Sequence, residues 1–259
     1  MLESYIREKQ KEKDLLLMTH IVMGYPSFDD CHAMVRQMVA AGVDLMELQI
    51  PFSEPMADGP VILKANQTAL ERGATVAKCL AFAKDMTARY SIPFLFMTYA
   101  NIPYRFGMAA FAKTAADIGM AGAIIPDMPM EEGAEYLQAM QENHLSPIQI
   151  FSPLTRDDRM AQIAAVSSGF IYCLARKGVT GANTQFSEEL TAYLARCRNA
   201  ASIPLAVGFG IKDRADMAFL TGKADIAVIG SQTIRVAEDH GVNSVREFIE
   251  GLTGQNPEL

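Results

Sequence analysis

The 259-residue sequence predicts an α/β fold, a (β/α)8 TIM barrel with a short N-terminal helix and an extra short helix after strand eight. Three observations predict it. Short apolar runs alternate with longer amphipathic runs eight times, at a spacing of roughly 30 residues, the size of one βα unit. No linker, low-complexity segment or composition break divides the chain, so residues 1–259 read as a single barrel domain. The alternative, a doubly wound open sheet, lacks its G-x-G-x-x-G after the first strand.

Residues 2–13 read as a short amphipathic helix with Leu2, Tyr5 and Ile6 on one side. Leu15 to Gly24 is the first strand, and Ser27 is placed to cap the helix that runs to Gly42. The second strand spans Asp44 to Pro51, followed by helical segments through Leu70 and from Val76 to Tyr90. From Leu45 to Ile50 the residues alternate, with Leu45, Glu47 and Gln49 on one face and Met46, Leu48 and Ile50 on the other. Strand three, Pro93 to Tyr99, leads through a polar loop to the helix MAAFAKTAADIG. Strand four, Ala121 to Pro126, precedes a helix from near Glu131 to near His144. Strand five, Ser146 to Ser152, precedes RDDRMAQIAAVS. Strand six, Phe170 to Ala175, is followed by a long Gly/Thr/Asn loop and then EELTAYLARCRNA. Strand seven, Ile203 to Gly210, precedes RADMAFLTG. Strand eight, Asp225 to Ser231, precedes a helix near Thr233–Glu238 and a last one over about Val242–Leu252.

The formal net charge of -7 argues against a nucleic-acid or anionic-membrane surface. It does not exclude a phosphorylated small substrate, because backbone N–H groups can hold phosphate. The four cysteines are widely spaced and form no C-x-x-C pair, which fits structural thiols in a reducing, cytoplasmic setting. The N-terminus lacks the order of segments of a signal peptide, and no apolar run is long enough to span a bilayer. The histidines lie far apart without ligand spacing, so no metal site is expected.

A barrel places its site at the carboxyl ends of the strands, and phosphate sites there use the loops after strands seven and eight with a short extra helix. Gly208-Phe209-Gly210 ends strand seven, Gly230-Ser231 ends strand eight, and a short helix follows. Glycines let backbone N–H groups approach an anion, although a glycine after a strand also serves as a plain turn. The loop from Arg176 to Ser187, with Thr180 and Gly181, is long for a βα connection and reads as a lid or a surface loop. Glu47 is an acid inside an apolar strand, where it is either catalytic or paired with a Lys or Arg. Asp58 is either a second acid converging on the same ligand or the N-cap of the helix at Pro60. Tyr172 and Tyr99 line the pocket or belong to the core, Asp127 orients neighbours or faces a partner, and His20 has no visible partner. These residues describe a barrel enzyme that acts on a small phosphorylated compound by acid/base chemistry.

At these positions the sequence resembles the α subunit of tryptophan synthase. ELQIPFSEPMADGP (Glu47 to Pro60) is close to the family's ELGxPFSDPxADGP. MTYAN (Met97 to Asn101), GAIIPDMPMEE (Gly122 to Glu132), RKGVTG (Arg176 to Gly181), VGFGI (Val207 to Ile211) and VIGS (Val228 to Ser231) follow in the family's order. The resemblance implies retro-aldol cleavage of indole-3-glycerol phosphate to indole and glyceraldehyde 3-phosphate, with no cofactor in this chain. It implies that Glu47 shuttles protons at ring C3 and at the glycerol hydroxyl, that Asp58 accepts the ring N–H, and that Tyr172 positions the reacting centre. Gly181, Gly210, Gly230 and Ser231 would hold the phosphate, Phe209 would line the pocket and Thr180 would belong to a lid. It implies an α2β2 complex whose β subunit carries pyridoxal phosphate, with Glu54, Pro55, Asn101 and Asp127 near the contact. Three positions depart from the pattern: Gln49 replaces Gly, Glu54 replaces Asp, and His20 replaces an aromatic or apolar residue of the indole pocket. Gln49, sharing the face of Glu47, is expected to hydrogen-bond it. The departures keep two alternatives open, a stand-alone lyase that releases free indole and a non-catalytic activator of a β subunit.

Overall fold

The structure is a computed structural model that describes residues 2–175, 188–208 and 210–254. The strands are β1 (Leu16–Val22), β2 (Leu45–Gln49), β3 (Phe94–Met97), β4 (Gly122–Ile124), β5 (Ser146–Phe151), β6 (Ile171–Leu174), β7 (Leu205–Gly208) and β8 (Ile226–Ile229). They close into a barrel in sequence order. Closure is made by parallel pairing of β1 with β8, Leu16 opposite Ile226 through Thr19 opposite Ile229, which excludes the open sheet. The strands are shorter than their apolar runs because the flanking residues bend into turns at the barrel rims.

The helices are α1 (Leu2–Lys9), α2 (Phe28–Ala40), α3 (Pro60–Glu71), α4 (Val76–Arg89), α5 (Asn101–Phe106), α6 (Met108–Asp117), α7 (Ala134–Glu142), α8 (Asp157–Ala165), α9 (Glu188–Ala200), α10 (Arg214–Leu220), α11 (Ser231–His240) and α12 (Ser244–Thr253). Ser27 caps α2 as expected, its side chain accepting the Asp30 N–H. Two expectations are corrected. The polar loop after strand three contains a helix, α5, whose Pro103 sits in the first turn where its missing N–H is harmless. The helix expected from Glu131 starts only at Ala134, after a turn that ends at Gly133. None of the described helices is long and apolar enough to cross a membrane.

Alternation along the strands makes two cores. Outward residues such as Met46, Leu48, Ile50, Phe94 and Phe96 pack with the helices. Inward residues Leu16, Met18, Leu45, Leu95, Ile124, Ile148, Phe170, Ala206, Ile226 and Val228 fill the barrel, and Leu2 and Ile6 of α1 join them. Helix α1 closes the amino ends of the strands. Tyr5 Oη donates to the Asp44 carbonyl at 3.1 Å, Arg7 Nη2 to the Ser202 carbonyl at 2.7 Å, and Gln10 Nε2 to Asp225 Oδ1 at 2.6 Å. All three acceptors lie on segments that enter a strand. With that end plugged, the carboxyl ends are the open mouth.

Candidate active site

Strand β2 brings its acid to that mouth. Glu47 is 2% exposed and sits opposite His20 of β1 in the strand register. Paired positions on neighbouring strands point to the same side, so both side chains face inward. His20 Nδ1 and Glu47 Oε2 are 2.8 Å apart. A buried carboxylate without a partner is expensive, and the partner here is this imidazole instead of the Lys or Arg expected as an alternative. His20 responds to the same contact. Burial alone would lower its pKa, but the hydrogen bond and charge of Glu47, with the charge of Asp58, raise it above the ordinary 6.5.

Asp58 does not cap α3. The N-cap is Gly59, without a side-chain cap bond, and Pro60 opens the helix. The Asp58 carboxylate instead turns toward the barrel. It accepts from Gln49 Nε2 at 2.7 Å and from Tyr99 Oη at 3.0 Å, both on Oδ2. The expected bond between Gln49 and Glu47 is therefore corrected: the amide of Gln49 serves the other acid. Tyr99 Oη also accepts the Ala57 N–H at 3.1 Å, and its ring stacks on Phe52 at 5.2 Å. Together these contacts fix the loop after β2 over the end of β3. Burial raises the Asp58 pKa, and it outweighs the opposing hydrogen bonds of Gln49 and Tyr99 and the charge of His20.

Tyr172 reaches the same place from β6. It is half-buried, and burial followed by the charges of Glu47 and Asp58 pushes its pKa well above the ordinary 10.0. Gly208 of β7 makes room for it, because a Cβ there would stand 2.6 Å from Tyr172 Oη. Three inward atoms, Glu47 Oε1, His20 Nε2 and Gln49 Oε1, are buried without a hydrogen-bond partner among the described residues. An unsatisfied buried polar atom costs about 1–3 kcal/mol, so three at one spot mark a place made for a polar ligand.

The turn that the sequence marks as a candidate anion cradle lies next to it. Gly230 is the N-cap of α11, and Ser231 is the first residue of that helix, which thus begins earlier than expected. No side chain caps α11, and although the Thr233 N–H donates to the Gly230 carbonyl at 3.1 Å, the N–H groups of Ser231 and Gln232 face no described backbone acceptor. Gly230 also adjoins His20, since a Cβ there would lie 3.5 Å from His20 Cβ. Gly210 follows β7 with φ of 68° and is exposed. Phe209, Thr180, Gly181 and the 176–187 loop lie outside the described residues.

The residues expected near a partner sit on the same rim. Glu54 and Asn101 are exposed, whereas Pro55 is buried. Asp127 Oδ1 accepts the Ala100 N–H at 2.8 Å, so this carboxylate ties the β4 loop to the start of α5. Sequence reasoning missed Asn66 of α3, which is fully buried and accepts the Phe52 N–H at 2.9 Å on Oδ1. The signal was present: Asn66 is the polar member of the buried face Ile62, Ala65, Asn66 and Ala69.

The family model for the tryptophan synthase alpha chain matches residues 6–254. The tryptophan synthase alpha chain of Desulforapulum autotrophicum is 62% identical over 252 residues, covering 97% of this chain and all of that one. That of Syntrophotalea carbinolica is 58% identical with the same 97% coverage of this chain, again over the whole relative. Among solved structures, tryptophan synthase of Mycobacterium tuberculosis superposes with a TM-score of 0.91 at 29% identity, covering 98% of this chain and 96% of that one. With its plugged barrel and its acids at the mouth, this chain belongs to the tryptophan synthase alpha chain family.

Proposed function

We propose that Glu47 and Asp58 carry out the alpha-chain reaction here, the retro-aldol cleavage of indole-3-glycerol phosphate to indole and glyceraldehyde 3-phosphate in tryptophan biosynthesis. The chain is a carbon–carbon lyase by family. The observation that carries the residue assignment is the convergence of two carboxylates, each with an oxygen unused by described residues, at one barrel mouth.

Cleavage requires the indole ring to accept the bonding electrons. Glu47 gives a proton to ring C3, and Asp58 accepts the ring N–H through Oδ1, the oxygen that Gln49 and Tyr99 leave open. The electrons of the C–C bond then return to the ring as the glycerol hydroxyl becomes a carbonyl, and Glu47 takes that hydroxyl proton. Tyr172 borders the reacting centre. The phosphate lies on the N-terminus of α11 at Gly230 and Ser231, beside Gly210, and the roles that the family resemblance implies for Gly181, Phe209 and Thr180 fall outside the described residues.

The partner is a tryptophan synthase β subunit in an α2β2 assembly, and pyridoxal phosphate belongs to that subunit. Supporting this, Met56 and Tyr104, on the connections after β2 and β3, are 74% and 73% exposed, an apolar rim beside Glu54 and Asn101. The test is indole release from indole-3-glycerol phosphate, alone and with a β subunit. We expect Glu47→Gln to lower kcat by about 10²–10⁴-fold, the usual range for a general acid/base, with KM little changed. Absence of release under both conditions refutes the assignment. High activity alone, unchanged by a β subunit, would favour a stand-alone lyase.

A further inference from the structure

We propose that His20 is a positioning residue that forms a proton-sharing dyad with Glu47. The inference rests on the lyase reading and adds to it a partner for the acid that moves the protons. Three observations carry it. The β1–β2 register places the two side chains opposite each other on the inward face. Nδ1 and Oε2 are 2.8 Å apart with both residues almost wholly buried, His20 at 5% exposure. The contact uses one atom of each group and leaves Glu47 Oε1 without a partner, while the Gln49 side chain stands beside the other nitrogen of the ring. The imidazole thus holds Glu47 by one oxygen and turns the other toward the substrate.

The groups facing the pair are known from each side. Asp58 and Gln49 come from β2 and its loop, Tyr99 contacts Asp58 from the end of β3, and Tyr172 approaches from β6. From β8 comes Gly230, which brings no titratable side chain. The charges acting on His20 are thus those of Glu47 and Asp58, both carboxylates, and both favour the protonated ring.

In the loaded state the dyad holds two exchangeable protons between the imidazole nitrogens and the Glu47 carboxyl. One leaves from Glu47 as its O–H bond breaks and the C3–H bond forms. The other stays on Nδ1 and holds the carboxylate. When the C–C bond breaks, the glycerol hydroxyl returns a proton to Glu47, and the pair is restored.

The test follows the ring directly. His20 in the full chain is titrated by NMR, its signals assigned by their loss in His20→Asn. The ring should titrate above 6.5 and fall in Glu47→Gln, where burial is opposed only by the charge of Asp58 and by Gln49. In turnover assays His20→Phe should move the alkaline limb of the kcat profile to lower pH, with a deficit of about tenfold at the alkaline end and little at the acid end. His20→Asn keeps a donor near the Nδ1 position without a titrating ring, so it should recover part of the kcat lost in His20→Phe yet show the same displaced limb. A ring that titrates at or below 6.5 and ignores Glu47→Gln overturns the dyad, as does a wild-type pH profile in His20→Asn. If wild-type protein releases no indole, the lyase reading fails, and the NMR titration still decides the dyad.

Discussion

Two acids at one mouth hold different partners, and the difference fits the tasks proposed for them. Glu47 has an imidazole, a group that can itself take a proton, whereas Asp58 is held by an amide N–H and a phenol O–H that both donate to it. This difference suits Glu47 to moving protons and Asp58 to accepting one fixed hydrogen bond. Asp58 also has a cost that can be measured. Its folded pKa is raised above the ordinary 3.8, chiefly by burial. A raised carboxyl stabilises the fold only while protonated. That contribution is complete below the unfolded value and is lost as pH rises through the folded value. Asp58→Asn keeps an acceptor for Gln49 and Tyr99 without the charge. It should therefore be more stable than wild type, with the difference growing as pH rises from about 4 and levelling off above the folded pKa. Urea denaturation across that range checks the sign, and indole release should fall sharply in the same variant. The acid character of Glu47 and Asp58 was legible in the sequence because carboxylates in and beside an apolar strand demand an explanation. The imidazole beside Glu47 was not, because His20 lies 27 residues away and only strand register joins the two.

At the scale of elements, glycines set how closely the strands and their side chains can approach. A Cβ at Gly208 would meet the ring of Tyr172, a side chain that can yield. A Cβ at Gly122 would stand 2.2 Å from the Ser146 carbonyl oxygen, which is backbone of the paired strand. Gly208→Ala should therefore cost about 1–3 kcal/mol and lower turnover by displacing Tyr172, while Gly122→Ala should cost more and separate β4 from β5. Denaturant midpoints with parallel activity assays check both. Strands and helices were legible as apolar runs and amphipathic periods, and the bounds of α9, Glu188–Ala200, match the expected run. The helix α5 was not, because its six residues, with a proline among them, carry no helical period. It is secured by the neighbouring Tyr99 and Ala100 carbonyls and by Asp127, 27 residues from Ala100, which no local pattern brings to it.

Across the whole molecule the two ends of the barrel do different work. Helix α1 and Gln10 just after it seal one end with Leu2 and Ile6 and with bonds to segments that lead into β2, β7 and β8. The acids and the N-terminus of α11 occupy the other. Ile6→Ala should cost about 2–5 kcal/mol of stability by opening a cavity in the barrel floor, and leave kcat within about twofold at temperatures where the variant is folded. Thermal denaturation and indole release separate the two effects. Periodicity settled the eight βα units, the two faces of β2 and the position of the two acids near strand ends, because alternation and turn residues are local properties of the chain. Pairing decided the rest. Closure of β1 on β8, the seating of His20 on Glu47 and the transfer of Gln49 to Asp58 each depend on which strands lie side by side and in what register, and no local pattern records that.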